Sequence, residues 1–272
     1  ATVEYATEKY QLAAGYYGSF LGTKQNALTV VPGTNTALVA ANLSPIALAP
    51  DNSVQQFYVT GAYNFSRDTR ANLKVAWSEG RQDDAFLVGQ PTLAGIGGNL
   101  NAKVQTTEVY SAITSRLTRD LKLLASWRYE DRQDKTPVRI FGTSTSNGVT
   151  TNYYNNPESH TANWGKLEAS YRLGAGFNLT GGFDYTNKSS KEWERHDVSE
   201  LTSRIALSRS MGESINGTLS FSHAERKGSE WNHGITPPIL PAYLADRNRD
   251  RVRGMLDLAA TENLNLQFAY EV

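Results

Sequence analysis

From Val54 to Trp77 the chain runs as two stretches of strict alternation joined by a short polar turn. Phe57, Val59, Gly61, Tyr63 and Phe65 fall on one side of the first stretch, and Gln56, Tyr58, Thr60, Ala62 and Asn64 on the other. After Ser66–Thr69, the residues Ala71, Leu73, Val75 and Trp77 alternate with Asn72, Lys74, Ala76 and Ser78. Side chains along a strand point alternately to opposite faces. The stretch is therefore a β-hairpin with one apolar and one polar face.

The rest of the chain repeats this unit. Eleven strands are expected: Tyr10–Phe20, the two of the hairpin, then Gln105–Leu117, Leu121–Glu130, Trp164–Leu173, Asn178–Thr186, Leu201–Arg209, Ile215–His223, Val252–Ala259 and a last one from Leu264. The connections Ser66–Thr69, Thr118–Asp120, Gly174–Phe177, Ser210–Ser214 and Ala260–Asn263 are short. Leu21–Ser53, Glu79–Val104, Asp131–Asn163, Asn187–Glu200 and Ala224–Arg251 are longer. Short and long alternate strictly. In an antiparallel meander this sends every short turn to one end and every long loop to the other. Bacterial outer-membrane barrels have that asymmetry, and a soluble sandwich has no reason to keep it.

Composition agrees. No run approaches the roughly 18 apolar residues of a membrane helix, which leaves barrel strands untouched, since each shows only about ten alternating residues. Aromatic residues sit near strand ends, as the girdles of a lipid-facing wall require: Phe65 beside a short turn, and Trp77, Trp127, Tyr129, Phe183 and Tyr185 toward long loops. The alternative, a soluble antiparallel sheet with an adhesion function, would not carry long charged side chains on the second face of most strands. Lys plus Arg number 27 and Asp plus Glu number 27, so charge balance gives no sign of a nucleic-acid partner. With no cysteine, the chain has no disulfide, no Cys-ligated metal and no thioether-attached haem. The reading is one all-β transmembrane domain over 1–272, an antiparallel up-and-down barrel of the bacterial outer membrane. Eleven strands, an odd count, and a chain that stops within a strand read as a piece of a larger barrel or as a barrel lacking terminal sequence. No signal peptide is seen.

Several segments carry a family resemblance. They are Leu48-Ala-Pro-Asp-Asn-Ser-Val-Gln-Gln-Phe57, Lys103-Val-Gln-Thr-Thr107 leading to Ile113-Thr-Ser-Arg116, and Trp127-Arg-Tyr-Glu-Asp-Arg132 before Asp134-Lys-Thr-Pro137. Tyr154-Asn-Asn-Pro157 and Tyr243-Leu-Ala-Asp-Arg-Asn-Arg-Asp-Arg251 follow in order. Together they resemble the MtrB/PioB family of decahaem-associated outer-membrane proteins, from about Leu48 onward. Members are barrels of about two dozen strands, so this chain is a little under half of one. The resemblance implies an insulating sheath in a porin–cytochrome complex. A periplasmic multihaem c-type cytochrome occupies the lumen, an extracellular cytochrome meets the long loops, and haem belongs to those partners. The barrel itself has no redox centre and no enzymatic activity. A diffusion porin or transporter is the competing function.

The polar face would present Lys74, Arg116, Arg128, Lys166, Glu168, Arg172, Asp184, Arg204, Arg253 and Asp257 to the lumen. Both signs are interspersed. Such a lining can pair with a protein plug and equally with water, whereas a single-signed lining would suggest an ion-selective pore. The resemblance favours the plug. Asp246, Asn248 and Asp250 have the spacing that opens a calcium loop, but Arg251 stands where that loop needs glycine. They read as a charged loop base with a minor calcium alternative. His160, His196, His223 and His233 have no zinc-site spacing and read as surface residues, His160 and His233 within loops. His196-Asp197 has no accompanying serine motif. Gly95-Ile-Gly-Gly98 reads as a flexible loop and Pro237-Pro238-Ile-Leu-Pro241 as a stiff one.

Overall fold

The computed structural model describes residues 1–28, 45–87, 98–212, 214–232 and 241–272. Gly95–Gly97, His233 and Pro237–Leu240 lie outside the described residues. The strands are β1 (Thr2–Ala6), β2 (Tyr10–Leu21), β3 (Ala27–Leu28), β4 (Ile46–Ala47), β5 (Asn52–Asn64), β6 (Thr69–Gln82), β7 (Ala102–Arg116) and β8 (Leu121–Asp134). They continue as β9 (Ile140–Ser146), β10 (Val149–Tyr154), β11 (His160–Gly174), β12 (Phe177–Ser189), β13 (Asp197–Met211), β14 (Ile215–Gly228), β15 (Arg247–Thr261) and β16 (Leu264–Glu271).

Twelve of these form one antiparallel sheet in the order β1-β2-β5-β6-β7-β8-β11-β12-β13-β14-β15-β16. Each strand pairs with its sequence neighbours once two small hairpins are set aside. Those hairpins, β3–β4 and β9–β10, lie inside the two connections 22–51 and 135–159. The sheet thus has the meander that the alternating connection lengths demand, and no pairing joins β1 to β16 among the described residues. Among the described residues no helix is long and apolar enough to cross a membrane.

The sequence reading misses one strand of the sheet. β1 is five residues long and offers only Val3 and Tyr5 as alternating apolar positions, too few to signal a strand. It pairs with β2 through Val3↔Ala14 and Tyr5↔Leu12. The sheet therefore has twelve strands where eleven were expected. The strands also run further than the apolar alternation does. β12 reaches Ser189 and β13 begins at Asp197, which shortens the expected Asn187–Glu200 loop to 190–196.

Register holds the two faces apart across the whole sheet. The ladder pairs Leu12↔Gly61, Gly61↔Leu73, Leu73↔Ser111, Ser111↔Trp127, Trp127↔Gly165, Gly165↔Tyr185 and Tyr185↔Leu201 keep one row on the apolar side. A slip of one residue in any ladder would turn that strand inside out.

The described residues form no conventional core. Large apolar side chains lie open in mid-strand: Val59 is 55% exposed, Leu73 50%, Leu167 52%, Ile205 50% and Leu219 60%. Four of the buried apolar residues are the alanines Ala76, Ala112, Ala162 and Ala224. They alternate onto the polar face, beneath longer polar neighbours. Apolar surface is normally removed from water at about 25 cal/mol per Å². A single-layer sheet leaving this much outside is stable only where the surroundings are hydrocarbon.

The wall has defined limits. Tyr16, Phe57 and Trp77 form a run of neighbouring rings toward the long loops, with centroids 5.0 and 6.3 Å apart, and Trp127 stacks on Tyr129 at 6.1 Å. Tyr63 and Phe65 meet edge-on at 4.8 Å beside a short turn. Beyond Trp77 the outward positions become polar: Glu79 accepts from Arg81 and Gln105 at 2.5 Å and pairs with Lys103 at 3.0 Å. The apolar band ends at the aromatic girdle, and the strand tips beyond it are wet.

Candidate functional site

The opposite face is organised by ion pairs that cross from strand to strand. On β6, β7 and β8, Lys74 approaches Glu108 at 3.8 Å and Arg128 contacts Glu108 at 3.5 Å and Glu130 at 2.9 Å. Glu108 and Glu130 stand directly opposite each other in the β7–β8 ladder. Like charges so placed repel, and Arg128 between them offsets the repulsion. Its guanidinium also lies 4.7 Å above the Trp164 ring. His160 joins the group, 3.4 Å from Glu130 and stacked on Trp193. His160 is thus a half-buried member of β11 and not a loop histidine.

A second group spans β11, β12 and β13. Glu168 receives Lys166 at 3.2 Å and Arg204 at 2.7 Å, and Arg204 also donates to Asp184 at 2.6 Å. Arg204 must reach across β12 to touch Glu168 on β11. The residue it passes over is Gly182, opposite both Glu168 and Arg204 in the ladders. A Cβ there would lie 2.5 Å from the Leu167 carbonyl oxygen and 3.3 Å from Arg204 Nη2. Glycine is required by this close approach. A third group joins β13, β14 and β15, where Arg226 and Arg247 each donate to Glu200 Oε2 at 2.8 Å.

The ten residues named from the sequence all alternate onto this face. Lys74 and Arg128 enter the first group, and Lys166, Glu168, Asp184 and Arg204 make the second. Asp257 accepts from Gln267 at 2.7 Å, and Arg253 reaches Met255 Sδ at 4.0 Å. Arg116 and Arg172 form no ion pair among the described residues. Sequence reasoning missed Glu108, Glu130, Trp164, Glu200, Arg226 and Arg247. Glu108, Glu130 and Trp164 were available from the same alternation. The other three fall where the outward face has already turned polar, so no apolar rhythm marks the strand.

A clasp closes the long-loop end. Arg195, only 5% exposed, donates to the carbonyls of Ser229 (2.5 Å), Leu244 (3.0 Å) and Gly228 (2.7 Å) and to Asp246 (2.6 Å). Its guanidinium lies 5.3 Å from the centre of the Trp231 ring. One side chain thereby ties segment 190–196 to both ends of the connection between β14 and β15. The Arg195 hydrogen bond holds the Asp246 carboxyl below its ordinary value against a smaller opposing desolvation. These contacts dissolve the calcium arrangement. Asp246 is engaged by Arg195 and Asp250 by His223 Nδ1 at 2.7 Å. Among the described residues no group of three or more acidic or histidine side chains is placed to hold a metal.

Comparison with known proteins now bears on this arrangement. A family model described as outer membrane beta-barrel porin, MtrB/PioB, matches residues 1–272. The chain belongs to the MtrB/PioB family. The outer membrane protein MtrB of Shewanella baltica (strain OS185) is 26% identical over 280 residues. That match covers 98% of this chain and 39% of the relative, so the chain spans about two fifths of it. The fold of the MtrB/PioB chain is also similar to solved outer-membrane structures. The FrpB iron transporter of Neisseria meningitidis superposes with a TM-score of 0.65 at 11% identity, over 99% of this chain and 43% of that one. The ferric-catecholate import receptor Fiu of Escherichia coli K12 gives 0.54 at 9%, over 99% and 47%. These likenesses concern fold alone. The MtrB/PioB chain is an outer-membrane β-barrel protein. In outer-membrane barrels an apolar band of this kind meets lipid, the polar face lines the lumen and the short turns are periplasmic.

Proposed function

We propose that this chain contributes to a barrel sheath that holds a multihaem c-type cytochrome, so that electrons cross the outer membrane through the haems of the partner. An extracellular cytochrome meets the long loops in this reading. The observation that carries it is membership of the MtrB/PioB family, and the lumenal face is compatible with it. Its groups are joined strand to strand with both signs present, from Lys74 to Glu200. A lining of that kind offers charged hydrogen-bonding partners to a protein surface. These 272 residues bring no cysteine for haem attachment, and in this reading the haems belong to a separate polypeptide.

Planar-bilayer conductance of the full-length protein tests the reading against a diffusion porin. The sheath predicts low conductance as isolated and a large rise after high salt strips the lumenal partner. High, steady conductance from the moment of isolation, unchanged by salt stripping, contradicts it.

A further inference from the structure

Beside its ion-paired groups the lumenal face carries a set of cations near the short turns. Arg70 on β6, Arg116 on β7, Lys122 on β8 and Arg172 on β11 all alternate onto the lumenal face, and all four are exposed. None forms an ion pair among the described residues. Arg70 donates only to the neutral side chains of Gln11 (2.9 Å) and Asn72 (3.2 Å). Arg116 and Lys122 are direct partners in the β7–β8 ladder. Two like charges directly opposite destabilise a sheet, and here no acid sits between them as Arg128 sits between Glu108 and Glu130. The adjoining turns carry Asp68 and Asp120, yet neither forms an ion pair with the four. The cluster lies in mid-sheet, with β1, β2 and β5 on one side and β12 to β16 on the other. Strands added at either edge therefore do not lie beside it.

We infer that these four cations form the entry dock for an acidic polypeptide surface that approaches the lumen from the periplasmic side. The four positive charges share the end of the lumenal face beside the short turns, and among the described residues no acid forms an ion pair with any of them. Focused single-sign fields raise association rates by about 10–1,000-fold. The groups deeper in the lumen already hold ion-pair partners, so they select fit while the entry cluster attracts. The inference deepens the sheath reading by assigning the sign of the partner's leading surface.

Poly-L-glutamate of defined length is the probe, added on the short-turn side of the full-length barrel in a planar bilayer after salt stripping. The inference predicts current block by poly-L-glutamate and none by poly-L-lysine. Block should need about tenfold more polymer in R116Q/K122Q/R172Q, and the charge-keeping R116K/K122R/R172K should restore it. Heat-modifiable mobility on gels shows that each variant is folded. Equal block of the wild type and the glutamine variant overturns the inference. Haem in material pulled down before stripping is scored separately. Its absence removes the cytochrome reading, while the block result alone decides the acidic dock.

Discussion

At the scale of single residues, the lumenal face depends on small groups as much as on charged ones. Gly182 leaves the channel through which Arg204 reaches Glu168. Placing a methyl 2.5 Å from the Leu167 carbonyl forces the β11–β12 ladder or the Arg204 side chain to move. Gly182→Ala is therefore expected to lower stability by about 1–3 kcal/mol, read as a shift in the denaturant midpoint of the refolded barrel. Arg204→Ala leaves the spacing intact and removes pairs that are about one-quarter exposed, and should cost only about 1 kcal/mol. If the two substitutions rank the other way, the glycine is not the limiting contact. The Arg195 clasp gives a pH signature. Because the folded carboxyl of Asp246 is depressed, its contribution is complete above the ordinary aspartate value of about 3.9 and is lost as pH falls through the lowered folded value. Amide exchange protection at Ser229 and Asn232, whose N–H groups donate to the backbone carbonyls of Asp197 and Glu194, should hold steady from pH 7 to about 4 and then drop. In Asp246→Asn that step should be absent.

At the scale of the elements, the apolar band should respond by depth. Ile205 lies in mid-band on β13 and Leu201 near its long-loop limit. An arginine at a bilayer midplane costs about 2–4 kcal/mol and near an interface about 0–1. Unfolding of Ile205→Arg and Leu201→Arg in lipid vesicles should show that difference, and equal costs would contradict the placement of the band. The same band explains which strands could be read from sequence. Where lipid demands an apolar row, as in Leu167, Ala169, Tyr171 and Leu173, alternation gave the strand and its facing. Where strands rise past the girdle, both faces are polar. The upper parts of β13, β14 and β15 then look like loop, which hid Glu200, Arg226 and Arg247. β1 was hidden by brevity. Arg195 could not be found by any periodic signal, since its burial arises from carbonyls brought together by two separate connections.

At the scale of the whole molecule, a single-layer sheet has one face solvated by lipid and the other arranged in ion-paired groups. Family membership gives the setting, and the lumenal lining gives reason to expect an occupant. The most direct test is a detergent pull-down of the full-length protein from its native membranes, read by haem absorbance and mass spectrometry. The sheath account predicts a multihaem c-type cytochrome recovered in fixed ratio with the barrel. A colourless barrel recovered alone from well-expressed membranes would contradict it and leave a diffusion porin in its place.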